Sequence, residues 1–382
     1  MTLDAGFDVC VVGKPGEEDP NDFGISGSGP GGRLVYREVS WFVGAPNVDD
    51  LPSDVQDRIA SQEPLLITGS LRGGITQRYG FIVDVVRRRP RGAETIVLAC
   101  ENAPHQDYEK VREACDQTGA LMLDTVVNRM CLELPRDSEH RRIVSAHRLG
   151  EWLVAKPVGR RTSKILQAMD GIEGFESVDD IEARHDRKLW MVNGAHQALA
   201  LMARRANADH RLEDCDDLRQ SLHDPVTAAR LGHIHNAMNE ALRIRHPHLT
   251  GSIQYSIEHV AAYAEHPDSV ARVLSAYRRL QLMPFLDALD ERIATPARIC
   301  YEHDLSVEPF SHVINVFLEL VANVDSFEDN IAARKRPIAV SADIELVERF
   351  GAMLTPWAGS TIEKQAGHFA QLLADHREAY ES

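Results

Sequence analysis

Short apolar runs alternate with amphipathic stretches in the first part of the chain. Residues 34–43 alternate apolar and polar positions, as a half-exposed hairpin does. Residues 74–88 and 108–118 carry apolar side chains at helical spacing. The runs typical of buried strands are 7–12, 65–68, Thr95–Ala99 and 121–127. Strands separated by helices of this length predict a parallel sheet of the doubly wound kind.

The pattern changes at about residue 150. From there helical spacing dominates, with interruptions at Pro284, Pro296, Pro309 and Pro337. We therefore predict an α/β plus α protein, with an incomplete Rossmann-like, doubly wound domain over residues 1–149 and a mainly helical domain over residues 150–382. Small-molecule sites tend to lie where domains meet, so we expect one in a cleft between the two.

The amino-acid composition and the net charge limit the kinds of molecule that the protein is expected to bind. Apolar residues make up 43% and charged residues 26% of the 382 residues, the balance of an ordinary globular protein with more than one core. The formal net charge of −16 disfavours a nucleic-acid partner, because phosphate contact needs a basic surface. The basic cluster Arg87, Arg88, Arg89 and Arg91 is interpreted as a solvated helix end, with local anion binding as the alternative.

The sequence shows neither a membrane helix nor a secretion signal. No apolar run approaches the roughly 18 residues that a membrane helix needs, and the N-terminus has no basic or apolar signal region. The six cysteines are scattered without a CxxC pair. This favours reduced thiols in a cytoplasmic protein over a disulfide framework.

The segment with the clearest chemistry runs from residue 187 to residue 202. On an α-helix at about 100° per residue, His196 lies near 80° and Asn193 near 140° from Lys188, so the three share one sector. Removal of a hydroxyl proton during alcohol oxidation needs a base, which a lysine can supply once its pKa falls toward about 7–8. Asparagine and histidine can then hold the developing oxyanion. The alternative is an amphipathic helix with a snorkelling lysine and a core histidine.

The same string resembles the signature of a known enzyme family. Lys188-Leu-x-x-x-Asn193-x-x-His196 is similar to the catalytic helix of the long-chain polyol dehydrogenases, which include mannitol, mannitol-1-phosphate and fructuronate enzymes. The resemblance implies that Lys188 is the general base and that Asn193 and His196 bind the reacting oxygen. It also implies a metal-independent oxidoreductase of carbohydrate metabolism that uses NAD or NADP.

Looser similarities extend from about residue 7 to about residue 320. Glu151 and Trp152 resemble the strand that enters the second domain of the family. Asn128 stands where an aspartate is usual before an arginine. The cofactor contacts that the resemblance implies are Thr68, Gly69, Glu101 and Asn102. The substrate contacts that it implies are Asn102, Asn128, Arg129, Arg292 and, as a weaker second arginine, Arg298.

The phosphate-binding turn of the family has no clear counterpart. The family opens with a βαβ unit on the order of 30 residues, whereas residues 7–13 resemble a later strand, so we expect that first unit to be missing and cofactor binding to be weak. Gly27, Gly29 and Gly32 spell G-x-G-x-x-G, but Pro30 interrupts them and a strand-like run follows. The pattern binds pyrophosphate only between a strand and a helix, so we interpret it as a coincidence.

Two functions follow from these observations. The first is hydride transfer between NAD(P) and a sugar alcohol or sugar acid. The second is a binding or regulatory protein that kept the fold and lost the cofactor. Histidines pair in sequence at His233 with His235 and at His246 with His248, but no carboxylate or cysteine ligands accompany them, so we expect no metal site.

Overall fold

The computed structural model divides the chain into two compact units, Met1–Arg184 and His185–Ser382. The predicted boundary between residues 149 and 150 falls inside a strand, Ile143–Ala155. Among the described residues, no helix has the length and apolar character needed to cross a membrane. The structure describes residues 10–12, 27–28, 34–35, 41–43, 47–69, 75–100, 108–134, 143–157, 163–172, 174–206, 218–264, 273, 288–322, 353 and 355–357.

All described strands belong to the first unit. A short 3₁₀ turn, Val48–Asp50, precedes its first helix. The strands are β1 (Cys10–Val12), β2 (Gly27–Ser28), β3 (Leu34–Val35), β4 (Trp41–Val43), β5 (Leu65–Gly69), β6 (Thr95–Ala99), β7 (Leu121–Leu123), β8 (Thr125–Leu134), β9 (Ile143–Ala155) and β10 (Phe175–Val178). The helices are α1 (Ser53–Ile59), α2 (Ile75–Arg88), α3 (Glu109–Thr118) and α4 (Lys164–Met169), and α5 (Ile181–Arg187) crosses into the second unit.

The central sheet of the first unit is β5-β6-β7, with all strands parallel. Successive side chains of a strand point to opposite faces. Val97 of β6 joins the core under α2 and α3, with Tyr79 and Val111. Ile96 and Leu98 join the core on the other face, against α4. The sheet is therefore covered on both faces, which explains its continuous apolar strands and confirms the predicted doubly wound class.

The region before the central sheet differs from the predicted hairpin over residues 34–43. Trp41–Val43 pairs parallel with Cys10–Val12, whereas Leu34–Val35 pairs antiparallel with Gly27–Ser28. The start of the G-x-G-x-x-G string thus lies on a strand that pairs with the strand after it. This arrangement is not the strand-turn-helix that holds a pyrophosphate.

A second sheet, β10-β9-β8, follows the central one and is mixed. Strands β8 and β9 are antiparallel, and β9 and β10 are parallel. Asn128 pairs in register with Glu151, and a β-bulge lies between Arg129 and Cys131. The predicted strand at Glu151 and Trp152 is thus confirmed, while β10 was missed because it lies where helical spacing was expected.

The described part of the second unit consists of helices and π-helical segments, with one short 3₁₀ turn at Thr355–Trp357, and this confirms the helical prediction. Pro296 and Pro309 stand in the first turns of the helices Thr295–Glu302 and Glu308–Ala322, where a missing amide is tolerated, so they mark helix starts. The helices are α6 (Ala195–Ala206), α7 (Leu218–His223), α8 (Pro225–Arg245), α9 (Ser252–Ala264), α10 (Thr295–Glu302) and α11 (Glu308–Ala322). The first π-segment is Lys188–Gly194, and the second π-segment is Asp290–Ala294.

Arg89 contradicts the interpretation of the basic cluster as a solvated helix end. Its side chain is buried, and Nε donates to Thr95 Oγ1 at 2.9 Å. Its guanidinium donates to carbonyls at the end of α1, in the turn beyond it and just before β6, namely Arg58, Ile59, Ser61, Glu63 and Glu94. Arg89 therefore supplies donors to carbonyls at the end of α1 and in the turn that follows it. Arg88, by contrast, forms an exposed ion pair with Asp49.

Replacing Arg89 should destabilise the first unit. Arg89→Met removes the donors from several buried carbonyls, which costs about 2 kcal/mol in the free energy of unfolding. Chemical denaturation of both proteins measures this loss. The control is Arg88→Met, which should have no measurable effect because exposed ion pairs contribute little. Equal stabilities of Arg89→Met and wild type would contradict the capping role.

Candidate active site in the helical unit

The first π-segment carries two of the three predicted catalytic residues. Lys188 opens it and is only 7% exposed, while Asn193 lies near its end and is half-buried. The predicted α-helical geometry is therefore wrong over residues 188–194. In a π-helix each hydrogen-bonded ring spans five residues instead of four, so residue i+5 takes the place above residue i. Lys188 and Asn193, five residues apart, come closer to one face than an α-helix would bring them.

Contacts of the buried Asp186 side chain anchor the helix just before this segment. Asp186 lies 2.8 Å from Nε2 of His246 and 3.3 Å from Nε of Arg245, at the end of α8. Burial alone would raise the pKa of Asp186, but hydrogen bonds from His185 and His246 and the charge of Arg245 outweigh it and lower that pKa. The guanidinium of Arg187 stacks on Tyr255 of α9 at 3.8 Å. The helix that leads into Lys188 is thus anchored to both α8 and α9.

The carbonyl of Met191, in the middle of the segment, is bound from outside the helix. The amide of Ala195, its partner in an α-helix, donates to Val192 instead. The hydroxyl of Ser256 on α9 donates to Met191. His235 on α8 places Nε2 2.8 Å from Ser256 Oγ.

The two π-segments meet at Gly194. A Cβ at this position would lie 2.7 Å from the backbone oxygen of Arg292 and 3.0 Å from Cε of Met238. Only a residue without a side chain allows such an approach. Gly194 therefore sets the distance between the segment that carries Lys188 and the segment that carries Arg292.

His196 is a buried, neutral imidazole at the start of α6. Its ring lies 4.3 Å from the ring of Tyr263 on α9. Burial lowers the pKa of His196 to about 3, the charge of Arg292 acts in the same direction, and a hydrogen bond to the backbone of His259 opposes both.

Three buried polar atoms, on His196 and on two residues that influence its pKa, lack a hydrogen-bond partner within the part of the chain that the structure describes. They are Nε2 of His196, Nε2 of His259 and Nε of Arg292. Burial lowers the pKa of Arg292, whose charge in turn acts on His196. Buried polar atoms are almost always paired, so a group of unpaired ones indicates a place where a polar ligand supplies the partners.

Arg298 differs from Arg292 in its contacts. Its guanidinium donates to Asp290 Oδ1 at 2.6 Å and to Thr295 Oγ1 at 2.8 Å. It thus ties α10 to the second π-segment. The substrate contact that the resemblance implies for Arg298 stays a prediction.

The predicted residues of the first unit stand at strand ends or on the second sheet. Thr68 and Gly69 end β5, beside the end of β6, where the amide of Cys100 donates to Gly69 at 2.9 Å. Asn128 is half-buried on β8, and Arg129 follows it on the same strand. Glu101 and Asn102 lie outside the described residues. The roles of all these residues stay predictions.

Sequence reasoning missed the contribution of α9. Ser256, His259 and Tyr263 each contact the segment from Lys188 to His196 or act on it. Their spacing of three, four and seven residues places them on one helix face. That spacing is visible in the sequence, but nothing local indicates which helix the face meets.

Two of the histidines in these sequence pairs contact other side chains. His246 binds Asp186, His235 binds Ser256, and His233 is exposed. Within the described ranges, no three side chains of histidine, cysteine, aspartate or glutamate cluster as metal ligands do.

The buried histidines predict a loss of stability in acid. Burial lowers the pKa of His235 to about 4 and that of His196 to about 3, from ordinary values of 6.5. The unfolded chain therefore binds protons below pH 6.5 that the folded chain excludes. Stability is fully present above pH 6.5 and falls as the pH drops toward 4, by up to about 1.4 kcal/mol per pH unit for each histidine.

Unfolding free energies measured between pH 7 and pH 4 test this dependence. His196→Phe should show a shallower slope than wild type, because one proton uptake on unfolding is removed. The control is His303→Gln at an exposed position, which should keep the wild-type slope. A slope unchanged by His196→Phe would contradict a neutral, buried His196.

Comparisons with known proteins give similarity at the level of structure. No protein-family model matches the chain, and no curated protein matches it in sequence. The structure of D-sorbitol dehydrogenase in substrate-free form is similar with a TM-score of 0.54 and 13% identity, over 94% of this chain and 82% of that one. Mannitol 2-dehydrogenase from Pseudomonas fluorescens, in a ternary complex with NAD and D-mannitol, is similar with a TM-score of 0.55 and 13% identity, over 94% and 81%.

These similarities extend over both units, since they cover nearly all of the chain. At 13% identity they concern the fold, and the Lys188, Asn193 and His196 string was found independently of them. The chain therefore has the fold of the polyol dehydrogenases that its sequence resembles.

Proposed function

We propose that this protein is a metal-independent oxidoreductase that transfers a hydride between NAD or NADP and a sugar alcohol or sugar acid. The observation that carries the proposal is the burial of Lys188, 7% exposed, on a π-helical segment. Single π-helical turns occur frequently at functional sites. The fold shared with a sorbitol and a mannitol dehydrogenase supports the same reaction class.

Lys188 acts as the general base in this proposal. Oxidation of a secondary alcohol breaks a C–H bond and an O–H bond and leaves a carbonyl. The amine of Lys188 takes the hydroxyl proton as the hydride leaves carbon, and the resulting ammonium returns that proton in the reverse reaction. The low exposure of Lys188 keeps bulk water from competing for the proton.

Asn193 supplies a donor to the reacting oxygen. The oxygen gains negative charge as its proton departs, and an amide N–H that is already in place stabilises this charge without reorganisation. The π-helical spacing, which brings Asn193 toward the face of Lys188, is what allows base and donor to address the same oxygen.

His196 contributes a buried ring nitrogen, Nε2, that has no partner among the described residues. The ring is neutral because burial lowers its pKa, so its nitrogens offer one donor and one acceptor. We assign His196 to orienting a substrate hydroxyl, with Nε of Arg292 as a donor to a substrate oxygen.

The first unit would hold the cofactor. Parallel strands β5 and β6 bring Thr68, Gly69 and Cys100 to the carboxyl edge of the sheet, where doubly wound folds bind their ligands. The residues present fit a nicotinamide dinucleotide in this respect, with Thr68, Gly69, Glu101 and Asn102 as its contacts. When bound, the cofactor supplies the hydride acceptor. Asn102, Asn128, Arg129 and Arg298 are assigned to the substrate on resemblance alone.

A turnover assay tests the proposal. The protein is supplied with NAD or NADP at millimolar concentration and a panel of hexitols, pentitols, ketoses and sugar acids, and nicotinamide reduction or oxidation is followed by absorbance. Turnover of at least one polyol or keto-sugar is expected. Absence of turnover across the panel, with calorimetry showing that the cofactor binds, would favour a non-catalytic binding protein instead.

Activity should be independent of metal. The ammonium and amine forms of Lys188 do the work that a metal-bound oxygen does in other dehydrogenases. We expect the rate to be unchanged after exhaustive treatment with a chelator, and elemental analysis to find no stoichiometric metal. Loss of activity in chelator that zinc restores would contradict Lys188 as the base.

A further inference from the structure

The first π-segment contains a carbonyl whose α-helical donor has been diverted. In an α-helix the Met191 oxygen would accept from the amide of Ala195, but that amide donates to Val192. The oxygen instead accepts from the hydroxyl of Ser256, and that hydroxyl lies 2.8 Å from Nε2 of His235. Side chains of two other helices thus meet at the point where the helical register changes.

Both side chains in this contact are buried. Ser256 is 0% exposed and His235 is 4% exposed. A buried carbonyl that loses its donors cannot recruit water in their place. With Ser256 present, the Met191 carbonyl has a donor from outside its own helix. Without that donor the carbonyl needs a backbone amide, and the α-helical register supplies one from Ala195.

We propose that Ser256 and His235 are positioning residues that hold residues 188–194 in the π-helical register and so keep Lys188 and Asn193 on one face. The expected effect on catalysis rests on the proposed function, whereas the expected effect on the helical register does not. His235 supports Ser256 from α8, since its Nε2 lies 2.8 Å from the hydroxyl. The pair thereby links α8 and α9 to the geometry of the base.

The test compares crystal structures and kinetics of wild type and Ser256→Ala. In the variant we expect the amide of Ala195 to donate to Met191, as in an α-helix, and kcat to fall on the order of 10²-fold, the loss typical of a misplaced reacting group. The KM for the cofactor should be unchanged. The control is Ser252→Ala, one turn earlier on α9, whose hydroxyl is buried and has no partner among the described residues. It should keep the π-helix and full kcat.

A second pair of variants covers the case in which Ser256→Ala does not fold. His235→Phe should behave as Ser256→Ala, and His235→Gln, which keeps a donor, should recover most of kcat. The π-helix retained in Ser256→Ala, or a register change with full kcat, would overturn the proposal. A wild type without turnover would refute the proposed function alone, and the register in the variants would still decide whether Ser256 and His235 hold the π-helix.

Discussion

Lys188→Ala is expected to lower kcat roughly 10²–10⁴-fold, the contribution of a positioned proton acceptor. The variant removes the only group that we assign to accept the hydroxyl proton, while Asn193 and the cofactor contacts remain. Affinity for the cofactor should change little, because the proposed cofactor residues belong to the first unit. Steady-state kinetics with the best substrate of the panel, at saturating cofactor, measures the effect.

Two controls separate loss of the base from loss of the fold. Circular dichroism and thermal unfolding should show that Lys188→Ala remains folded. Lys164→Ala, at an exposed position in the first turn of α4, should retain full kcat. Full activity in Lys188→Ala would mean that Lys188 is a buried side chain without a chemical role, and the proposed mechanism would fail.

Gly194→Ala should damage both stability and catalysis. The added methyl group would lie 2.7 Å from the backbone oxygen of Arg292 and 3.0 Å from Met238, which is itself fully buried. A backbone oxygen cannot rotate away, so the two π-segments must separate. We expect a loss of about 3 kcal/mol in the free energy of unfolding, at the upper end for overpacking, and a fall in kcat on the order of 10²-fold.

Gly232 provides the matched control on α8. A Cβ at Gly232 meets nothing within 4 Å, and the position is inside a helix. Gly232→Ala should therefore leave kcat unchanged and raise stability by about 0.5–1 kcal/mol, because alanine loses less backbone entropy than glycine on folding. Similar unfolding free energies for the two variants would show that the approach of Gly194 to Arg292 does not constrain the site.

The central sheet was predictable because its strands are buried on both faces. Thr95–Ala99 was predicted with its observed bounds, and α2 and α3 differ by only a residue from the predicted stretches. Continuous apolar runs and helical spacing are local signals that packing does not override here. Strands β8 to β10 were less visible, because a mixed sheet gives no single pattern of alternation.

The candidate site was found as a string of residues but not as a geometry. Spacing on an ideal α-helix put Lys188, Asn193 and His196 in one sector, whereas the structure has a π-segment over Lys188–Gly194. Nothing in the segment itself specifies that register. Ser256 bonds to the Met191 carbonyl and His235 contacts Ser256, but both lie far along the chain from the segment. Local periodicity in the sequence does not connect them to Met191.

Arg89 shows the same limit in the first unit. Four arginines within five positions resemble a solvated helix end, and for Arg88 an exposed position is observed. Arg89 is buried because carbonyls at the end of α1, about 30 residues earlier, need donors. Charge patterns predict average exposure, and only the tertiary structure shows which cation has buried partners.

The most direct test of the proposed reaction follows the transferred hydrogen. The protein is incubated with NAD or NADP, a chelator and the best polyol substrate carrying deuterium at its carbinol carbons, and the reduced nicotinamide is analysed by NMR and mass spectrometry. The proposal predicts deuterium on the nicotinamide ring with wild type, and at least a 10²-fold slower appearance with Lys188→Ala. Oxidation of the polyol without deuterium on the nicotinamide, or equal label with Lys188→Ala, would contradict hydride transfer assisted by Lys188.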